Sequence, residues 1–480
     1  MLLSRASYYF SYNFLIVFLS SLVFKAFPLH GDERPNFVVI LCDDLGYGDI
    51  SCYGNKIIKT PNIDRLASQG IRFTDYYSPS PVCSPSRVGL LTGRTPNRAG
   101  IYDWIPSGTQ FHLEEKEFTI PKMLKRVGYA TCMSGKWHCN GKFNKKSQPQ
   151  PSDFGFDHWF ATQNNAVPSH RNPKNFVRNG EGVGELEGFS CRIVAEEANR
   201  WIENHVIENP DQPFFTFIAF HEPHEPISSP ESMISNYPNA QKKGEALYYA
   251  NVENMDFAVG MIMDCLNRNK VAENTLVIFT SDNGPETLNR YGGAWRSHGS
   301  PGVLRGMKLH THEAGIRVPG VMRWPLQIKA GQVSDEPVNS LDLMPTFANL
   351  AAGEIPIDIQ LDGTDIVNAF GKDEVIRKRP MFWCYYSALN KSKVALRDGN
   401  WKLLASLKSK NDKYLKIRSL NKSNYDLVKT ARLVDFELYD IGNDNDELLN
   451  LVDKNHDEFK RLSEAMRMMF DEVLKDSKIW

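Results

Sequence analysis

Three uninterrupted apolar runs constrain what this 480-residue chain can fold into. Residues 36–41 (NFVVIL), 214–220 (FFTFIAF) and 275–280 (TLVIFT) are rich in β-branched and aromatic side chains, without the alternation of a half-exposed strand. Such runs suit strands buried on both faces, as in parallel sheets covered by helices. Stretches of helical spacing, over residues 191–206 and about 246–267, lie between them and supply covering layers. Each run ends in a polar cluster: Cys42-Asp43-Asp44, then His221-Glu222-Pro223-His224, then Ser281-Asp282-Asn283-Gly284. Ligands of open α/β sheets gather beyond the carboxyl ends of the strands, so these clusters hold candidate site residues. Two readings of the paired aspartates stand at this level, a helix-capping turn or half of an oxygen cage for a hard cation. Asp282-Asn283-Gly284 is by itself a turn.

A content of 41% hydrophobic and 24% charged residues suits a soluble globular enzyme. The formal net charge of −1 offers no general basic field for nucleic acid, so an anionic substrate must be drawn by local cations. Residues 1–31 are expected to form a secretory signal, with Arg5 ahead of an apolar run that ends near Phe24 and is short for a membrane span. No small-x-small cleavage site is evident, which leaves a retained anchor as the alternative; the expected location is secreted or periplasmic. The eight cysteines specify no disulfide connectivity. Asn390-Lys391-Ser392 and Asn421-Lys422-Ser423 match glycosylation sequons.

The most specific motif is Cys83-Ser84-Pro85-Ser86-Arg87, which continues through Leu91-Thr92-Gly93-Arg94. It resembles the signature of type I sulfatases, in which the cysteine is oxidised to formylglycine. Hydrated, that aldehyde carries two hydroxyls on one carbon, one to attack sulfur and one to expel sulfate afterwards. Gly135-Lys136-Trp137-His138 is similar to the family's second signature, although Cys139-Asn140 replaces its usual Leu-Gly. Lys136 and His138, two apart, would point the same way from an extended segment. His224 matches the family's histidine before x-Pro, with His221 as a structural neighbour, and Lys308 matches its sulfate-gripping lysine. Between Lys308 and Glu313, His310-Thr311-His312 departs from the pattern and is expected to be an exposed loop. Five blocks in family order thus span Pro35 to Gly320.

The resemblance implies an alkaline phosphatase-like α/β fold: a large mixed, mostly parallel sheet sandwiched by helices, then a smaller C-terminal antiparallel sheet plus helix. It implies one calcium ion held by Asp43, Asp44, Asp282 and Asn283 together with the modified Cys83. Arg87 would polarise the nucleophile, while Lys136, His224 and Lys308 take the sulfate oxygens and His138 acts as base. The implied partners are a sulfated small molecule or glycan and a formylglycine-generating enzyme during maturation. The overall pattern is similar to arylsulfatases and to N-acetylgalactosamine-6-sulfatase-like carbohydrate sulfatases. A phosphonate or phosphodiester hydrolase using the same modified cysteine is the alternative enzyme, and a binding protein that never acquires formylglycine the alternative outside enzymes.

Local signals fill in the rest. Thr60 is expected to cap a helix led by Pro61 and stopped by Gly70, and residues 86–91 to open another helix. Residues 144–188 read as loop, in which Gln163, Asn164, Asn165, His170 and Arg171 could touch a sugar. A core helix is expected from residue 341. The catalytic domain is taken as residues 32–371 and the C-terminal subdomain as 372–480. The latter holds a hairpin turning at Asp398-Gly399-Asn400, a strand over 436–440 and an amphipathic helix over 458–473, without catalytic candidates. The lysine-rich stretch 408–422 reads as a solvated loop that could contact a sulfated polymer.

Overall fold

The three apolar runs lie side by side. In the computed structural model, which describes residues 34–287, 290–371 and 373–480, Asn36–Asp43 is the central strand. Phe214–Pro223 pairs parallel on one side of it and Thr275–Ser281 on the other, with Val39 level with Phe217 and Ile278. Ala130–Lys136 and then His158–Thr162 extend the parallel centre. Antiparallel strands take over toward the edges, Gly320–Arg323 beside Thr275–Ser281 and Val177–Arg178 beside His158–Thr162, and the sheet reaches ten strands among the described residues.

The absence of alternation now has its cause. Phe37, Val39 and Leu41 enter one core with residues of the helices Cys83–Thr92, Ile120–Arg126 and Leu343–Ala351. Val38, Ile40 and Cys42 enter a second core with Pro61–Ser68, Ser190–Glu208 and Glu245–Arg268. A strand with a core on each face needs apolar residues at every position. This is the mixed, mostly parallel, helix-covered sheet anticipated above.

Several local expectations are corrected. Thr60 does not cap Pro61–Ser68 with its side chain; its hydroxyl accepts from Ser51 N at 2.9 Å. The orphan N–H groups of Asn62 and Ile63 donate instead to the Asp256 carboxylate, at 3.2 and 2.8 Å, from the long helix packed alongside. The helix led by Pro61 ends at Ser68, and Gly70 is needed for another reason: a Cβ there would lie 2.0 Å from Met322 O in a neighbouring strand. The stretch 144–188 contains the strands His158–Thr162, Val177–Arg178 and Glu181–Gly182, so it is not all loop. The core helix begins at Leu343, after a 3-10 turn over Ser340–Asp342.

The C-terminal strands Met381–Cys384, Val394–Asp398, Trp401–Lys408 and Arg432–Asp440 form an antiparallel sheet in that order. The helix His456–Asp476 lays Leu462, Met466, Phe470 and Val473 on it, as the 458–473 spacing foretold. Arg34–Trp480 is one compact unit. Buried charge ties the small sheet to the short helix Glu313–Ile316 of the larger part: Lys402 Nζ lies 2.8 Å from Glu313 Oε1 and 2.9 Å from Glu447 Oε1. The expected signal segment lies outside the described residues, and no helix among them is long and apolar enough to cross a membrane. All eight cysteines are unpaired.

Candidate active site

The carboxyl ends of the parallel strands supply most of the site. Asp43 closes its strand, and Asp44 turns the chain away at φ 67°. The next strand ends at Ser281, and the amide of Asp282 donates to Cys42 O at 3.0 Å, which holds the two acidic turns together. Lys136 closes Ala130–Lys136, where Gly135 is obligatory because a Cβ would meet Ala219 O at 1.8 Å. The extended segment stops there, and His138 takes a left-handed φ of 54°, so alternation does not align it with Lys136 as expected.

The nucleophile helix begins at Cys83 itself and not at Ser86. Pro85 falls in the first turn, where a missing N–H costs nothing, and Cys83 meets the positive end of the helix dipole. Cys83 is buried, and burial pushes its thiol up to about 11 despite Lys136 and Lys308 nearby. An unmodified Cys83 is therefore a neutral thiol and a poor nucleophile.

Three carboxylates meet three cations in this cavity. Arg87, fully buried, donates to Asp282 Oδ2 from Nε at 2.9 Å and Nη2 at 2.7 Å, and to Lys136 O from Nη1 at 2.8 Å. Lys136 Nζ donates to Asp43 Oδ2, and Lys308 Nζ to Asp44 Oδ2 at 2.6 Å. Asn283 Nδ2 donates to Asp44 Oδ1 at 2.7 Å. His224 Nε2 stands 3.6 Å from Asp44 Oδ2. Burial alone would raise Asp43, but Lys136, His224, Arg87 and Lys308 hold it well below the usual carboxylate range.

Two buried oxygens in this cluster, Asp43 Oδ1 and Asn283 Oδ1, have no hydrogen-bond partner. Ligand atoms of Asp43, Asp44 and His224 lie within 4.8 Å of one another, so the cluster could hold a metal ion. Carboxylate and amide oxygens of this kind suit a hard cation.

The two site histidines are held neutral. Burial and Lys308 press His224 down to about 4, and burial with Lys136 and Arg87 lowers His138 well below its usual range. His138 Nε2 faces Ile105 O at 3.1 Å, and a carbonyl only accepts, so the proton sits on Nε2. Its buried Nδ1 is left with a lone pair and no partner.

All six catalytic candidates, Cys83 among them, and the four further metal candidates thus gather in one buried cluster. The sugar-contact candidates divide. His170 is wholly buried and takes Asn251 Nδ2 at 3.1 Å, which excludes sugar contact. Gln163 braces the loop behind His138 through Ile105 O at 3.2 Å and Asn140 O at 2.9 Å. Arg171 is exposed. The expected exposed loop 310–312 is in fact largely buried, with Thr311 N and Oγ1 bound to the Asn390 side chain at 3.1 and 2.9 Å. The Asn390 sequon amide is therefore occupied.

Sequence reasoning placed no site residue beyond 372, yet Tyr385 and Ala388 from the C-terminal part pack against Val82 and Cys83. No local signal could have found them, because the contact is made by the docking of two sheets.

A buried cluster of three cations and three carboxylates at the carboxyl edge of a helix-covered α/β sheet suits a hydrolase for tetrahedral anionic esters. The sulfatase family model matches residues 35–354, and the model for the C-terminal part of N-sulphoglucosamine sulphohydrolase matches residues 307–476. The chain is 35% identical to human arylsulfatase A over 392 residues, covering 77% of this chain and 74% of that protein. It is 33% identical to pig (Sus scrofa) N-acetylgalactosamine-6-sulfatase over 374 residues, covering 73% and 68%. The crystal structure of Ps i-CgsB in complex with k-i-k-neocarrahexaose superposes with a TM-score of 0.77 at 29% identity, covering 93% of this chain and 94% of that one. The chain belongs to the sulfatase family. It is a sulfuric ester hydrolase with the alkaline phosphatase-like fold.

Proposed function

We propose that this enzyme removes sulfate from a carbohydrate, using formylglycine made from Cys83 and one calcium ion. The unpartnered oxygens of Asp43 and Asn283 are the observation that carries the metal assignment. Asp43, Asp44, Asp282 and Asn283 would hold the ion, residue 83 would complete its shell, and the ion would supply positive charge beside the sulfate. Formylglycine hydrate would supply a hydroxyl to attack sulfur and a second to release it.

The side chains divide the remaining work. Arg87, clamped on Asp282, presents fixed positive charge beside residue 83. Lys136, Lys308 and His224 converge on the sulfate oxygens, where preorganised donors lower the barrier most. An arriving sulfate raises the pKa of neutral His224, so His224 or Lys308 can hand a proton to the departing alcohol oxygen. His138 Nδ1, with its free lone pair, takes a proton from the second hydroxyl. Residues 32–371 carry this chemistry, and residues 372–480 close one side of the cavity through Tyr385.

Sulfated glycans are the favoured substrate class because Ps i-CgsB, a structural neighbour, is bound to a neocarrahexaose and N-acetylgalactosamine-6-sulfatase is among the relatives. The test pairs peptide mass spectrometry at Cys83 with kcat/KM on matched sulfate, phosphate and phosphonate esters. Formylglycine at residue 83 and a sulfate preference are expected. Full activity with an intact thiol, or a phosphonate preference over every sulfate, refutes the reading.

A further inference from the structure

Beside the nucleophile helix, facing the C-terminal part, lies a small pocket of about 150 Å3, lined by residues that include Asp103, Trp104, Ile105, Phe111 and Arg418. The segment 103–105 is a wall shared with the active site. Ile105 N donates to Ser84 Oγ at 3.0 Å, next to the nucleophile, and Ile105 O faces His138 Nε2 at 3.1 Å. The Tyr385 hydroxyl donates to Asp103 Oδ1 at 2.9 Å, and the same ring packs against Cys83. The pocket and the surroundings of residue 83 therefore share the segment 103–105.

The lining specifies that group. Trp104 is 42% exposed and presents a flat apolar face, which suits the C–H face of a sugar ring. Arg418 is exposed and enters no salt bridge among the described residues; the pocket's own acid, Asp103, feels its charge but already accepts from the Tyr385 hydroxyl and Trp104 N, which leaves the guanidinium open to an anion. Its position is nonetheless held. Leu415 and Leu420 are buried in the C-terminal core, Ser387 Oγ donates to Ile417 O at 2.8 Å, and Trp480 N donates to Leu420 O at 2.9 Å. The surrounding loop, residues 409–424, carries Lys410, Lys413, Lys416, Arg418 and Lys422 against the single acid Asp412. Repeated positive charge leading away from a pocket favours a chain of repeated negative charge.

We propose that this pocket is a specificity subsite for the sugar next to the one that loses sulfate, with Trp104 stacking on its ring and Arg418 binding a second anionic substituent, a sulfate or a carboxylate. The inference rests on the sulfate-ester reading above. The preferred substrate is then an oligosaccharide with repeated charge and not an isolated monosulfated sugar.

The test compares formylglycine-bearing wild type with Arg418→Ala, Trp104→Ala and Lys429→Ala, the last removing an exposed cation outside the loop. The substrates are 4-nitrophenyl sulfate and oligosaccharides of two to six units from sulfated galactans and from glycosaminoglycans. Arg418→Ala and Trp104→Ala are expected to lose at least about tenfold more kcat/KM on the best oligosaccharide than on the aryl ester, through KM, as loss of one charged or stacking contact predicts. Lys429→Ala leaves that ratio unchanged. Turnover of galactans assigns the second anion as sulfate, and turnover of uronate-containing chains alone assigns it as carboxylate. Equal losses on both ester types, or an enzyme active on the aryl ester that accepts no oligosaccharide, overturns the subsite. Failure of wild type on the aryl ester and on every oligosaccharide counts instead against the sulfatase reading.

Discussion

Replacing Lys308 by methionine keeps the apolar stem and removes one charge from a site that has little to spare. Lys308 is 5% exposed and its ammonium sits 2.6 Å from Asp44 Oδ2, so solvent cannot take its place. Burial disfavours the ammonium, but Asp44 overrides it and raises the pKa, which keeps Lys308 charged wherever the enzyme works. Removing one preorganised charged donor from a water-poor site costs roughly 10²–10³ in rate, or about 3–4 kcal/mol. Asp44 then keeps only Asn283 Nδ2 as a short side-chain donor, and breaking a buried pair destabilises by ~3–5 kcal/mol unless another cation intervenes. Bound calcium would be that cation, so the variant should melt well below wild type after chelation and closer to it with calcium. The assay is kcat/KM on 4-nitrophenyl sulfate at matched formylglycine content, with melting curves in calcium and in chelator. A rate within tenfold of wild type, at full formylglycine content, would refute the role given to Lys308.

Chelation of wild type should abolish turnover while lowering the melting temperature only modestly, because Lys136 and Lys308 already neutralise Asp43 and Asp44; metal analysis alongside turnover checks this. Asp282→Ala with unchanged metal content and turnover would defeat the calcium assignment. Lys402→Met should destabilise by ~3–5 kcal/mol, since buried Glu447 would lose its cation while buried Glu313 kept only Arg317, and denaturant melts measure it. Acid should also unfold the protein. Burial depresses the pKa of His170, His221 and His312 below 6.5, so the unfolded chain binds protons that the folded one refuses. Their contribution is complete above about pH 6.5 and is lost as pH falls toward their folded values, that of His312 being about 2. Melting temperatures from pH 8 to 4 should fall on the acid side.

The sequence alone determined the parallel core and pointed to the candidate reacting groups. Unbroken apolar runs admit few arrangements other than a doubly covered sheet, and the candidate catalytic residues lie in short motifs whose resemblance to a family could be seen without a structure, as from Cys83 to Arg87 and from Lys136 to His138. Patterns of that kind depend on neighbours in the chain and survive without a structure. Only the tertiary structure decided what depends on distant packing. Asp256, not Thr60, caps the helix at Pro61; Gly70 makes room for a strand rather than stopping a helix; His310-Thr311-His312 folds inward because Asn390 bonds it. The same holds for the wall of the site. Tyr385 reaches Asp103 across 282 residues of chain, and a contact at that separation is written in the docking of two sheets and in no local sequence pattern.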